Sequence, residues 1–257
     1  SCLSFWEKIL VPEQDSASND NASQHNEFAH SYIRRRGRFT KAQASALERL
    51  TQRYRLDTAS INKDSRQLGI EIGFGMGHEL IAWGQEQPEH LLLGIELYQP
   101  GIGSMLARLE SLEIENIALV DQPAQKVLSQ LTPESVSEIR IFFPDPWPKK
   151  RHLKRRIIQP EFLTQLLTVL KPMGIVRLAT DWAEYGEWMA EHFTANQNFK
   201  CELDATRDPI IGEGDLNLDQ AALTKNLADV VRGRTKFETR GEKLGHRIRD
   251  FTYRRVS

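Results

Sequence analysis

The stretch QLGIEIGFGMGHELIAWGQEQPEHLLLGIEL, Gln67 to Leu97, decides the fold. QLGIEIGFG reads as a short apolar strand, MGHELIAWGQEQ carries apolar residues at helical spacing, and HLLLGIEL resumes as a strand. Short apolar strands joined by helical patterns mean parallel β-structure with crossover helices. Outward from this unit the alternation continues. GIGSMLARLESLEI predicts a helix, NIALV a third strand and EIRIFF a fourth. PEFLTQLLTVL, GIVRLAT and WAEYGEWMAEHF follow as helix, strand and helix. The expected fold class is therefore α/β with a wide, doubly wound, mostly parallel sheet.

Toward the N-terminus, Thr40 is a plausible N-cap for a helix from Lys41 to about Tyr54. The cluster Arg34, Arg35, Arg36, Arg38 and Lys41 precedes or opens it, either as a solvated charged segment or as a phosphate-contacting arm. Residues 1–29 contain the polar, amide-rich run EQDSASNDNASQHN and are expected to be a weakly ordered tail ahead of one domain over 30–257. The stretch from Arg207 to Val231 reads as an irregular insertion before a basic C-terminal segment.

Lys plus Arg number 34 against 35 for Asp plus Glu, so at a net charge of -1 any attraction for nucleic acid must come from local patches. Two cysteines, Cys2 and Cys201, exclude a disulfide framework, and the seven histidines lack ligand spacing, so no metal is expected. No run approaches the roughly 20 apolar residues of a membrane span, and SCLSFWEKILVPEQ is a poor secretory signal. A cytoplasmic protein without a membrane or an obligate protein partner, monomeric or weakly dimeric, is the expectation.

In a doubly wound sheet the ligand sits beyond the carboxyl ends of the strands. Glu71 leads there into Gly73, Gly75 and Gly77, which allow a sharp turn and close approach of a ligand. The pattern is G-x-G-x-G, without the Lys-Ser/Thr of a P-loop, and an acid before it suits an ammonium better than a pyrophosphate. Glu96 ends the second strand about 20 residues on, where a carboxylate can accept the hydroxyl protons of a ribose. Together these point to S-adenosylmethionine, with a nicotinamide dinucleotide as the weaker alternative.

The fourth strand leads into FFPDPWPKKRHLKRR, Phe142 to Arg156. Asp145 stands between Pro144 and Pro146, so its backbone is restricted on both sides and its carboxylate is aimed. A carboxylate can accept from guanine N1–H and N2–H together. The cations from Lys149 to Arg156 are suited to phosphates. A catalytically silent RNA-binding module would also use these basic runs.

GIEIGFGMG, LLLGIEL, FFPDPWPKKRHLKRR, LATDW and TKFETRGEKLGH resemble the bacterial tRNA (guanine-N7-)-methyltransferase family over about residues 30 to 255. The resemblance implies a Rossmann-like methyltransferase sheet of seven strands with an antiparallel edge. It implies tRNA as partner and S-adenosylmethionine as cofactor, leaving S-adenosylhomocysteine. Glu71, Gly73, Gly75, Gly77, Glu96 and Asp145 would serve the cofactor, with Asp145 also at the catalytic centre. Lys149, Asp181, Thr235, Lys236, Phe237 and Glu238 would contact substrate. Pro123 stands where the family carries its adenine-binding Asp, so Asp121, or failing that Gln122, is expected to take the adenine amino group.

Overall fold

The computed structural model describes residues 40–207 and 247–256, Leu50 by its backbone alone. The helix expected after Thr40 is α1 (Lys41–Tyr54), and a capping box fixes its start. The Thr40 hydroxyl accepts from the Gln43 N–H while the Gln43 side chain accepts from the Thr40 N–H. A short α2 (Thr58–Lys63) follows, capped by Asp57.

Seven strands then form one sheet: β1 (Leu68–Ile72), β2 (Leu91–Ile95), β3 (Ile117–Val120), β4 (Val136–Phe142), β5 (Leu170–Thr180), β6 (Phe199–Arg207) and β7 (Ile248–Arg255). Their spatial order is β3-β2-β1-β4-β5-β7-β6. The first five are parallel, and β7 runs antiparallel to both of its neighbours. The crossovers are α3 (His78–Glu86), α4 (Gln99–Ser111), α5 (Ala124–Leu128), α6 (Pro160–Val169) and α7 (Ala183–Thr194).

Continuous apolar strands bury both faces of the sheet. On one, Ile70, Leu93 and Ile139 pack with α5, α6 and α7 through Val127, Leu166 and Met189. On the other, Leu92 and Leu119 pack with α1, α3 and α4 through Ala46, Trp83 and Met105. The chain steps outward from β1 to β3, then returns to the other side of β1 with β4. The ends of β1 and β4 thus mark the point where the winding reverses, the crevice in which such sheets take ligands.

Besides α2, which was not expected, two local features differ from the expectation. β5 begins at Leu170, before GIVRLAT, and passes an irregularity at Met173, whose φ is 66°, so its pairing with β4 shifts register. Helix α5, only five residues long, follows β3 where no helix was expected.

Candidate active site

The ends of β1, β2, β3 and β4 open onto one cavity of about 420 Å3. β1 supplies Ile72, Gly73 and Gly75; β2 supplies Ile95 and Glu96; the turn after β3 supplies Gln122 and Pro123; and β4 supplies Ile141 through Asp145, with Trp147 beyond. All three loop glycines have positive φ, 77° at Gly73, 55° at Gly75 and 76° at Gly77. A Cβ on Gly73 would meet nothing within 4 Å, so conformation selects glycine there while space is left for a ligand. On Gly77 it would lie 2.1 Å from the Met105 sulfur, which shows how closely α4 backs the loop.

Glu96 ties the loop to β2. One oxygen accepts from the Gly75 N–H at 2.8 Å, the other from the Leu97 and Tyr98 N–H groups at 2.7 and 2.9 Å. Desolvation raises its pKa above the ordinary carboxylate value; these N–H donors act in the opposite direction, and nearby Asp145 adds to the rise. The four lone-pair directions of a carboxylate leave it capacity for a further donor. Glu71 is placed differently. It is 3% exposed, within β1, and by strand alternation shares the face of Gly69, whose Cβ direction meets Trp83 of α3. It is buried and is not part of the cavity wall.

Asp121 also departs from its expected position. β3 ends at Val120, so the alternation that would have placed Asp121 on the side of position 123 no longer applies. Its carboxylate accepts from Arg55 at 2.5 Å and from Gln99 at 3.4 Å, facing a separate cavity of about 450 Å3 between α1 and α4. Gln122 lines the first cavity instead. Its Oε1 is shielded from solvent and has no hydrogen-bond partner among the described residues. That second cavity flanks β3 and lacks the glycine loop, Glu96 and Asp145; the site is the one at the strand ends.

Asp145 is exposed at the mouth of the cavity. Its loop is strained on both sides: Phe143 has φ 51° and Trp147 φ 43°. Bulky residues in the left-handed region cost on the order of 1–3 kcal/mol each and persist where surroundings over-determine them. Those surroundings are identifiable. The Phe143 N–H donates to Ala179 O at 2.8 Å, the Arg155 guanidinium lies 5.0 Å over the Trp147 ring, and His152 meets that ring edge-on at 5.7 Å. Burial, then Arg155, Arg151 and Lys149, push His152 below its ordinary pKa. The Trp147 Nε1 is buried with no partner among the described residues.

The basic run forms a 3-10 turn, Lys150–Arg155, and does not behave as one surface. Lys149, Lys150, Arg151 and Lys154 are exposed and Arg155 is half-buried. Arg156 is 1% exposed, so the expectation that it holds a phosphate is corrected: it is interior. Asp181 directly follows β5, whose Ala179 pairs with Phe142 of β4, so Asp145 and Asp181 leave the same edge of adjacent strands. Thr235, Lys236, Phe237 and Glu238 lie outside the described residues, as do 1–29 and Arg34 to Arg38. Among the described residues no group of His, Cys, Asp and Glu is arranged to hold a metal, and no helix is long and apolar enough to cross a membrane.

A doubly wound sheet with an antiparallel β7, a glycine loop lacking a phosphate cradle, and an acid at the end of β2 define a methyltransferase of Rossmann-like fold. A solved antibiotic-related methyltransferase superposes with a TM-score of 0.50 at 14% identity, over 77% of this chain and 94% of that one, a likeness of fold. Residues 65–251 match the family model described as "Putative methyltransferase". The tRNA (guanine-N(7)-)-methyltransferase of Nitrosococcus oceani is 39% identical over 88% of this chain and 90% of its own length. That of Idiomarina loihiensis is 38% identical over 87% and 88%. The chain belongs to the tRNA (guanine-N(7)-)-methyltransferase family.

Proposed function

We propose that this protein methylates N7 of a guanosine in the variable loop of tRNA, in the cytoplasm, using S-adenosylmethionine. The observation that carries the reading is the strained loop holding Asp145 at the mouth of the strand-end cavity, beside an exposed cationic turn. The cavity suits the cofactor on its own features: open space over Gly73, the carboxylate of Glu96, and the orphaned acceptor of Gln122. When bound, the cofactor supplies an activated methyl group.

Glu96 would accept from the ribose hydroxyls and Gln122 from the adenine amino group, and Gly73, Gly75 and Gly77 would let the ligand approach the backbone. Glu71 is buried in β1, which leads into that loop. Guanine N7 already carries a lone pair, so no strong base is required. Bound S-adenosylmethionine would supply its methyl group to that lone pair and leave as S-adenosylhomocysteine, its positive charge passing to the purine. Asp145 at the guanine edge stabilises that developing charge. Alignment of donor and acceptor near 3 Å can supply on the order of 7–11 kcal/mol. Lys149, Asp181, Thr235, Lys236, Phe237 and Glu238 hold the tRNA.

Mass spectrometry of tRNA nucleosides after incubation with protein and S-adenosylmethionine should reveal 7-methylguanosine at one position. Asp145→Ala should lower turnover at least about a hundredfold, the scale for losing a positioned electrostatic group, with its melting curve intact. Methylation at another atom, or an Asp145→Ala protein of near-normal turnover, would overturn the assignment.

A further inference from the structure

Arg156 belongs to the basic run by sequence but to the interior by structure. Its Nε donates to the carbonyl of Pro146 at 2.9 Å, and its guanidinium lies 4.9 Å from the Tyr185 ring and 5.0 Å from the Trp188 ring. It also reaches Glu184, at a long 3.5 Å, through a side chain that is itself 62% exposed. Tyr185, Trp188 and Glu184 all belong to α7, which starts two residues after Asp181. One buried cation therefore joins the loop that carries Asp145 to the helix whose entry carries Asp181.

We propose that Arg156 is a positioning residue for methyl transfer, acting through the Pro146 carbonyl to hold Asp145 at a fixed distance from the start of α7. The inference rests on the reading of Asp145 given above. The loop needs an external tether because Pro144, Pro146 and Pro148 have no N–H to donate. At its front the Phe143 N–H is anchored on Ala179; at its back the Arg156 side chain grips Pro146. The guanidinium is itself aimed from behind. The Arg156 N–H donates to Leu153 O at 3.0 Å, and Gln159 Nε2 donates to the carbonyls of Leu153 and Arg156 at 3.1 and 3.2 Å. Two aromatic faces and one carbonyl match a planar guanidinium, which stacks and donates at once. A lysine ammonium keeps the charge but has neither the plane nor the fork.

The test compares Arg156→Lys and Arg156→Gln with wild type in single-turnover methylation at saturating tRNA and S-adenosylmethionine. A displacement of about 1 Å at a reacting centre costs about a hundredfold, so the rate should fall on that order in Gln, with Lys restoring only part. S-adenosylhomocysteine affinity and the salt dependence of tRNA binding should stay at wild-type values. Tryptic cleavage at Lys149, Lys150 and Arg151, which reads loop mobility without catalysis, should quicken in both variants. Wild-type rates in the variants, a salt slope lowered by about one unit as for a phosphate contact, or loss of cooperative unfolding in both would each overturn the proposal. Absence of 7-methylguanosine with the wild-type protein would sink the functional reading instead, and the cleavage rates would then decide the positioning role alone.

Discussion

Gln122 shows how one residue changes what a strand end can bind. The turn after β3 directs Asp121 to Arg55 and leaves Gln122 in the cavity wall, so on the proposed reading a neutral amide, not a carboxylate, meets the adenine amino group. A neutral hydrogen bond contributes about 0.5–1.5 kcal/mol net. Calorimetry should therefore show Gln122→Leu binding S-adenosylmethionine about 2- to 13-fold more weakly, with Asp121→Ala within about twofold of wild type; a larger loss in Asp121→Ala would restore Asp121 as the adenine partner. Glu96 makes a prediction with a definite sign. Its folded pKa lies above the ordinary value, chiefly through desolvation. It thus takes up a proton on folding, which favours the ligand-free fold below the unfolded pKa and is lost as pH rises through the folded one. The ribose requires the ionised form. Acidification from neutral should weaken cofactor binding while pH is still above the ordinary carboxylate range, and Glu96→Gln, weaker throughout, should remove that part of the pH dependence. Parallel profiles for the two proteins would refute the assignment.

At the scale of elements, the 3-10 turn divides its cations by the face each one presents. Lys150, Arg151 and Lys154 are exposed, whereas Arg155 covers Trp147 and Arg156 is internal. Replacing the three exposed residues with alanine should lower the log-log salt slope of tRNA binding by roughly 0.7–0.9 for every phosphate they neutralise, with cofactor affinity unchanged. A slope that moves only when Arg155 is replaced would relocate the phosphate contacts. The sequence could not reveal this division, because periodicity is not defined over six residues of a tight turn. The sequence served α1 far better: Thr40 as N-cap gives its start, and the structure ends it at Tyr54 as expected. Pro172 and Gly174 concealed the early start of β5, since both residue types ordinarily interrupt a strand.

The whole molecule was legible in its parallel half, where apolar strands alternate with helices, but the antiparallel β7 was implied only by resemblance. Nothing in IRDFTYRR records its direction; that is set by the chain returning from β6 to lie between β6 and β5. The burial of Glu71 away from the cavity wall likewise depends on which face α3 covers, a tertiary fact. This architecture also predicts how ligand binding should propagate. Both apolar clusters draw side chains from the same strands, β2 and β3, and the cavity is formed by the ends of those strands with β1 and β4. A ligand there binds only when the central sheet is intact, so it should stabilise the described domain as one cooperative unit. At a hundredfold excess over its dissociation constant, S-adenosylhomocysteine should add about 2.7 kcal/mol. For a domain of this size that corresponds to a rise in Tm of about 5–11 °C. Calorimetric scans with and without ligand would measure it, with Glu96→Ala shifting less at the same ligand concentration. A single transition displaced by that amount supports one cooperative sheet. Two transitions, of which only the upper moves, would mean that the β6–β7 edge melts independently of the cofactor-binding half.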